Sequence, residues 1–240
     1  MFTGNPETCA NSLLKDKIVI LIDNSPIAII IPSSLFELTE NSNETNGFTY
    51  ATIFNRIFIL IFLFLSIFSL GLFILLTSHH PETLSIPFIT NFQLTERGTT
   101  FPLILEIIIV LIMFEFYRQL ASRSPLSFVQ NIIIIFGGLF IGQNALDAGL
   151  IGSTAIIIAS LSYVSSFAVT NNTYLITSFA IFRIFILLMS YLIGMIGFII
   201  SSILVISYIS NINVFNRNYL SPLIPFNFNK FKAWFIPKKE

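Results

Sequence analysis

The chain has 240 residues, of which 55% are hydrophobic and 10% charged, with basic and acidic side chains in equal number. Soluble domains carry roughly 25% charged residues, so there is too little polar surface here to cover a globule of this size in water. A formal charge of zero leaves no electrostatic footprint for nucleic acid, and a single cysteine, Cys9, excludes an internal disulfide or a thiolate metal cluster.

The first sixteen residues hold Asn5, Pro6, Glu7 and Asn11 and lack the apolar core of a cleavable leader. Membrane insertion is therefore expected to begin at the first internal apolar helix. Lys17 to Ile31 (KIVILIDNSPIAIII) places two β-branched runs around Asp23-Asn24-Ser25-Pro26, a strand, turn, strand pattern. Two strands alone are marginal in water, so residues 1–50 are expected to be the end of a cytoplasmic soluble domain, with a β-hairpin at 17–31. Pro32-Ser33-Ser34 is positioned to cap a short helix before the polar loop from Glu40 to Tyr50.

Residues 51–210 are expected to form a membrane domain. Ile53 to Thr77 is the first spanning helix, with Arg56 near its start placed to snorkel to headgroups. Ser66, Ser69 and Gly71 are small enough for close helix packing. Ser78 to Pro102 is a polar connector. Leu103 to Leu120 is the second spanning helix and carries Glu106 and Glu115, closed by Arg118 and Arg123.

Phe128 to Ala168 is apolar but interrupted by Gly137, Gly138, Gly142, Gln143, Asn144, Asp147, Gly149 and Gly152. That pattern predicts a broken or re-entrant pair of short helices. Ile181 to Ser210 reads as one long spanning helix, and residues 211–240 as a basic cytoplasmic tail ending in Lys230, Lys232, Lys238 and Lys239. The distribution of basic residues puts the N-terminus, the Arg118–Arg123 loop and the tail inside. The fold class is an all-α integral membrane protein with four crossings plus a re-entrant or broken helix pair; five crossings is the alternative.

Carboxylates in hydrocarbon usually pair or face a wet path. Glu106 and Glu115 lie nine residues apart, about two and a half turns, so they sit on roughly opposite faces with different partners. Glu115 either pairs with Arg118 at i,i+3 or faces an ion path. Glu106 either sits at the interface in the first turns of its helix or serves ion passage. Gln143 and Asp147, four apart, share a helical face and either satisfy the break or line an ion path. His79 and His80 are adjacent and point in different directions, with no HExxH spacing, so no metal site is expected. No nucleophile is paired with a base, so neither an enzyme nor a bound cofactor is expected.

Six stretches, in order, resemble the A subunit of the spore germination receptors of endospore-forming bacteria. They are Lys17 to Pro26 preceded by Asn11-Ser12-Leu13-Leu14, His79 to Leu84 with Ile86-Pro87, Glu96-Arg97-Gly98 with Phe101-Pro102, Glu106 with Phe114-Glu115 and Arg118, Gly137 to Gly149, and Tyr219 to Phe226. Together they cover nearly the whole chain. This sequence departs from the family pattern at Leu111 and Gln119, where acids are common, at Asp147, usually Glu, and at Asn24, often Gly. Asn tolerates positive φ, so that turn is expected to survive. Members of that family usually carry a sizeable N-terminal cytoplasmic domain, and residues 1–50 are expected to correspond to its final segment.

The resemblance implies a multi-pass subunit of the inner spore membrane that works with a transporter-like B subunit and a lipoprotein C subunit and forms homo-oligomers. Nutrient would bind the B subunit. The A subunit would couple that event to ion release, with Glu106, Glu115, Gln143 and Asp147 as candidates for the ion path or gate. The competing expectations are a non-conducting scaffold or degenerate paralogue and, less in keeping with the lack of internal repeats, a secondary transporter.

Overall fold

In the computed structural model the described residues are 2–14, 17–39, 49–86, 90, 98–123, 142–170, 172–214 and 217–220. They fall into two compact units. One contains Met1–Ile61, Val169–Asn172 and Ile203–Glu240, the other Phe62–Ala168 and Thr173–Ser202.

The first unit opens with β1 (Phe2–Thr3), α1 (Pro6–Leu14), β2 (Ile18–Ile20) and β3 (Ala28–Ile31). β2 and β3 pair antiparallel, Ile18 opposite Ile31 and Ile20 opposite Ile29, so the expected hairpin forms. Asn24 takes φ 59° in its turn, the conformation Asn tolerates better than other non-glycine residues. The hairpin is not alone: β1 adds to the other edge of β3, giving the order β1-β3-β2. Ala28 and Ile30 alternate inward on β3 and are buried, while Ile18 and Ile20 of β2 stay exposed. Period-2 alternation puts one side-chain set on each face.

Ser34 caps α2 (Leu35–Leu38), the short helix expected after Pro32-Ser33-Ser34, and its N–H donates to Glu37 Oε2 at 2.9 Å, one half of a capping box. Lys17 Nζ lies 2.7 Å from the same carboxylate. Two distant segments join here. Leu35 N–H donates to the Tyr219 carbonyl at 2.9 Å, and Thr170 Oγ1 donates to that of Leu38 at 3.3 Å. The start of the tail is not extended chain but a small ladder, β4 (Asn213–Val214) with β5 (Arg217–Asn218). The lysines expected to make the tail basic lie outside the described residues.

α3 (Thr49–Ile74) runs on into a π-helical turn, Leu75–His79. At 1.5 Å per residue its 26 residues reach about 39 Å, more than the ~30 Å hydrocarbon layer. Arg56 does not snorkel as expected. It is 5% exposed, because α3 begins four residues before the predicted start and position 56 falls on the stripe of buried Thr52 and Ile59. Residues three and four apart share a helical face.

The second unit is a helical bundle of α4 (Leu103–Arg123), α5 (Ser153–Val169), α6 (Thr173–Ile193), the start of α7 (Met195–Asn211) and the later turns of α3. Its core joins Leu70 and Ile74 of α3, Ile107 and Leu111 of α4, Ala155 and Ala159 of α5 and Leu187 of α6. The outer faces are apolar as well: Ile157 and Val164 on α5 and Ile181 and Leu192 on α6 are exposed. Helices that are apolar all round suit a lipid surround. Tyr50–His79 and Thr173–Ile193 are long and apolar enough to cross a membrane, and Ser153–Val169 and Met195–Asn211 are shorter apolar helices.

The single helix expected over Ile181 to Ser210 is two. α6 starts eight residues earlier, and Gly194 at φ 68° ends it. Glycine is the usual residue where a helix terminates in the left-handed region. α7 then turns back along α3. Gly194 lies against His79 at the end of α3, while Phe198 reaches Phe68 and Gly71 further up the same helix. The turn is tight enough that a Cβ on Gly197 would collide with the carbonyl oxygen of Met189. The close packing expected at Gly71 is present, since a Cβ there would come 2.5 Å from Ile186 Cγ2. A thirty-residue span thus becomes a helical hairpin, and the crossing count built on one helix there loses its basis.

The broken helix is partly in view. Residues 142–147 are helical, Ala148 and Gly149 turn, and α5 begins at Ser153. The half of the expected re-entrant element that holds Gly137 and Gly138 lies outside the described residues.

Candidate functional site

The polar side chains of the bundle collect at three places along α4, α5 and α6. The first is the start of α4. Pro102 precedes the helix, and Leu103, Ile104 and Ile107 turn into the core and bring Glu106 with them. Glu106, in the first turn of the helix, is 1% exposed. Its Oε2 accepts the backbone N–H of Gly152 at 2.9 Å. Gly152 directly precedes α5, and its carbonyl accepts from Ile156 at 3.3 Å. The carboxylate therefore faces the positive end of a second helix, where free N–H groups favour an anion. Glu106 Oε1 is buried and has no hydrogen-bond partner.

The break beside it is held by backbone contacts. Thr100 donates to the Gly149 carbonyl twice, from N–H at 2.9 Å and from Oγ1 at 3.1 Å. Gly149 has φ 64°, and a Cβ on it would lie 2.8 Å from the Gly98 carbonyl oxygen. Only glycine meets both conditions.

The second place is the other end of α4. Glu115 and Arg118 form the expected i,i+3 ion pair in a two-pronged form, with Arg118 Nε at 3.0 Å from Oε2 and Nη2 against Oε1. Paired bonds of this kind are the stronger class of charged contact. Arg118 Nη2 also donates to Thr177 Oγ1 at 2.8 Å, so the pair ties α4 to the start of α6. Glu106 and Glu115 thus have separate partners, as their spacing predicts.

The third place was not anticipated. Arg183 is fully buried in the middle of α6. Its Nη1 donates to Ser162 Oγ at 3.1 Å, and its Nη2 reaches Ser166 Oγ at 3.5 Å. Its guanidinium carbon stands 5.6 Å from the centre of the Tyr163 ring, a cation–π distance. The Ser162 hydroxyl in turn donates a hydrogen bond to the Ser66 carbonyl at 3.0 Å, linking α3, α5 and α6 through one hydroxyl. A helix read from Ile181 leaves Arg183 near its end, whereas the start at Thr173 carries it to the middle. The i,i+4 pair Ser162 and Ser166 was the available signal.

Gln143 and Asp147 lie on the 142–147 helical turn and are exposed. Glu106 and Glu115 bond instead to Gly152 and Arg118. The two histidines separate as expected. His79 Nε2 is 3.1 Å from the Tyr191 carbonyl, to which it donates, and His80 Nδ1 is 3.1 Å from Glu82 Oε1. The Glu82 carboxyl is held below its usual range, chiefly by a backbone hydrogen bond of its own residue and then by His80.

Comparison with known proteins gives a consistent result. A family model described as the Bacillus/Clostridium GerA spore germination protein matches residues 1–239. Spore germination protein XA of Bacillus anthracis is 32% identical over 224 residues, which is 93% of this chain and 45% of that protein. Spore germination protein KA of Bacillus subtilis is 26% identical over 226 residues, 94% of this chain and 41% of that protein. The uncharacterized membrane protein YfkQ of B. subtilis is 25% identical over 235 residues, 98% of this chain and 45% of that protein. The chain spans less than half the length of these relatives. No solved structure matches it.

Proposed function

The chain belongs to the GerA family of spore germination proteins, and on that premise we propose that it is a non-enzymatic membrane subunit of a spore germinant receptor. It couples nutrient sensing in a partner subunit to ion release. Its partners are a transporter-like B subunit, a lipoprotein C subunit and further copies of itself, in the inner membrane of the spore. The observation that carries this reading is the family match along residues 1–239. The helical bundle with apolar outer faces supports the membrane placement.

The bundle also supports a division of labour among the candidate acids. Glu106 holds the start of α5, and Glu115 holds Arg118 against α6. Each spends at least one oxygen on helix packing. Their contribution to a cation path comes when these contacts exchange, as a population shift between packed and opened arrangements. Gln143 and Asp147, both exposed, are the polar groups available to a wet path formed between subunits.

The second reading is a scaffold that assembles the receptor without conducting, and the packing contacts of Glu106 and Glu115 favour it. Spores carrying Glu106→Gln, Glu115→Gln or Asp147→Asn, with matched protein levels, separate the two. The conduit reading expects slower nutrient-triggered potassium release in Asp147→Asn with the complex intact. Release unchanged in all three leaves the scaffold. Loss of the assembled complex from spores lacking this chain is expected under either reading, and its absence would remove the receptor assignment.

A further inference from the structure

Between α4, α5 and α6 lies a cavity of 280 Å³, lined by Leu111, Ile112, Glu115, Phe116 and Gln119 of α4, Tyr163 of α5, and Ala180, Arg183 and Ile184 of α6. Its volume is at the lower edge of pockets that hold drug-sized molecules. Its wall is mostly apolar. Ile112 and Phe116 are also exposed on the outside of the bundle, so the cavity opens to the side, where the bilayer would lie.

The charges around it do not balance. Arg183 keeps its proton under all ordinary conditions and is completely buried. Among the described residues the acid that shares the cavity wall with it is Glu115, and both oxygens of that carboxylate are already taken by Arg118. One acid and two bases leave one positive charge. Arg183 bonds two serine hydroxyls, yet its Nε–H is buried without an acceptor. A buried cation and an unmade hydrogen bond are both costly, and in a membrane segment such a residue points to function.

We propose that this cavity binds an anionic amphiphile. A carboxylate or phosphate head accepts the Arg183 Nε–H and supplies the missing negative charge. The apolar body lies along Leu111, Ile112, Phe116 and Ile184. An inorganic anion would leave that apolar wall unfilled, and a neutral hydrocarbon would leave the charge and the donor unanswered. The lateral opening admits a ligand from the bilayer, either a free fatty carboxylate or an anionic phospholipid. This inference stands apart from the receptor reading, because it concerns binding and not germination.

The test uses the full chain purified in a nonionic detergent, with radiolabelled octanoate as probe in equilibrium dialysis. One saturable octanoate per chain is expected, with octanol binding at least tenfold more weakly. Arg183→Gln removes the donor, while Ala180→Phe fills the cavity and leaves Arg183 in place; each is expected to weaken octanoate binding at least tenfold, with helical circular dichroism unchanged in Ala180→Phe. Displacement by phosphatidylglycerol but not phosphatidylcholine assigns the site to anionic lipid, and octanoate binding that phosphatidylglycerol leaves intact assigns it to a free carboxylate. No saturable binding, octanol binding as tightly as octanoate, or unchanged binding in both variants overturns the proposal.

Discussion

The Glu106 carboxylate and the Gly152 backbone N–H, 46 residues apart, meet at 2.9 Å inside the bundle and fix the start of one helix to the start of another. Glu106→Gln retains an acceptor for Gly152 and gives the unpartnered oxygen's position a donor amide. Its cost is expected to stay near ~1 kcal/mol, the scale of one hydrogen bond. Glu106→Ala strands a buried N–H and opens a void, and is expected to cost about 2–4 kcal/mol. Thermal unfolding of the detergent-solubilised chain measures both. Equal loss in the two variants would mean that charge, and not the acceptor, holds the contact.

Arg118 serves Glu115 and Thr177 at once. A double-mutant cycle over Glu115→Gln and Arg118→Met is expected to give a coupling of about 1–2 kcal/mol. Single substitutions should loosen the start of α6, visible as faster amide exchange near Thr173 and Thr177. A coupling of zero would reduce the pair to a surface contact.

Gly194 takes φ 68° and packs against the His79 ring. Gly194→Ala is expected to destabilise by roughly 1–2 kcal/mol, the cost of a left-handed L-residue, and Gly194→Asn by less. If Gly194→Ala is neutral or stabilising, α6 and α7 are one continuous helix after all.

Burial pushes the Tyr219 phenol up to about 12. Its folded value is raised, so the unfolded chain loses this proton first, near pH 10. The associated stability is complete below pH 10 and is lost as pH rises toward about 12. Tyr219→Phe is expected to remove that part of the alkaline decline. An identical decline in wild type and Tyr219→Phe between pH 10 and 12 would contradict the burial.

The two ends of α6 predict sidedness. Tyr191 meets His79 beside the connector that holds Glu82, whereas the Thr173 end follows Asn172. In a Cys9→Ser background, cysteines placed at Glu82 and at Asn172 are expected to label from opposite faces of sealed vesicles. Asp147→Cys should label with Glu82, since Gly149 is bonded to Thr100 just ahead of α4. Labelling of Glu82 and Asn172 positions from the same face would rule out α6 as a crossing.

The features legible in the sequence were local ones. Pro32-Ser33-Ser34 announced a capped helix, Asn24 a positive-φ turn, and Glu115 with Arg118 a same-face pair, because each depends on spacing within a few residues. The break at Gly194 was not legible, since glycine is common inside membrane helices and the apolar run on either side is unbroken. The partner of Glu106 was hidden because it is a backbone group on another helix. The burial of Arg183 was hidden because the apolar run does not mark Thr173 as the start of its helix. β1 has only two residues, Phe2 and Thr3, too short for any alternation to show.

Leu35 takes its backbone partner from Tyr219. The unit that holds α2 is therefore completed by a segment that follows every helix of the bundle. During synthesis that unit waits, with α2 unanchored, while every helix between is made and inserted. Contacts so distant in sequence close late and slowly. A ribosome stalled before Tyr219 would leave this portion a ready substrate for chaperones and proteases, so nicking near α2 would serve as a clock for the synthesis of the helices in between.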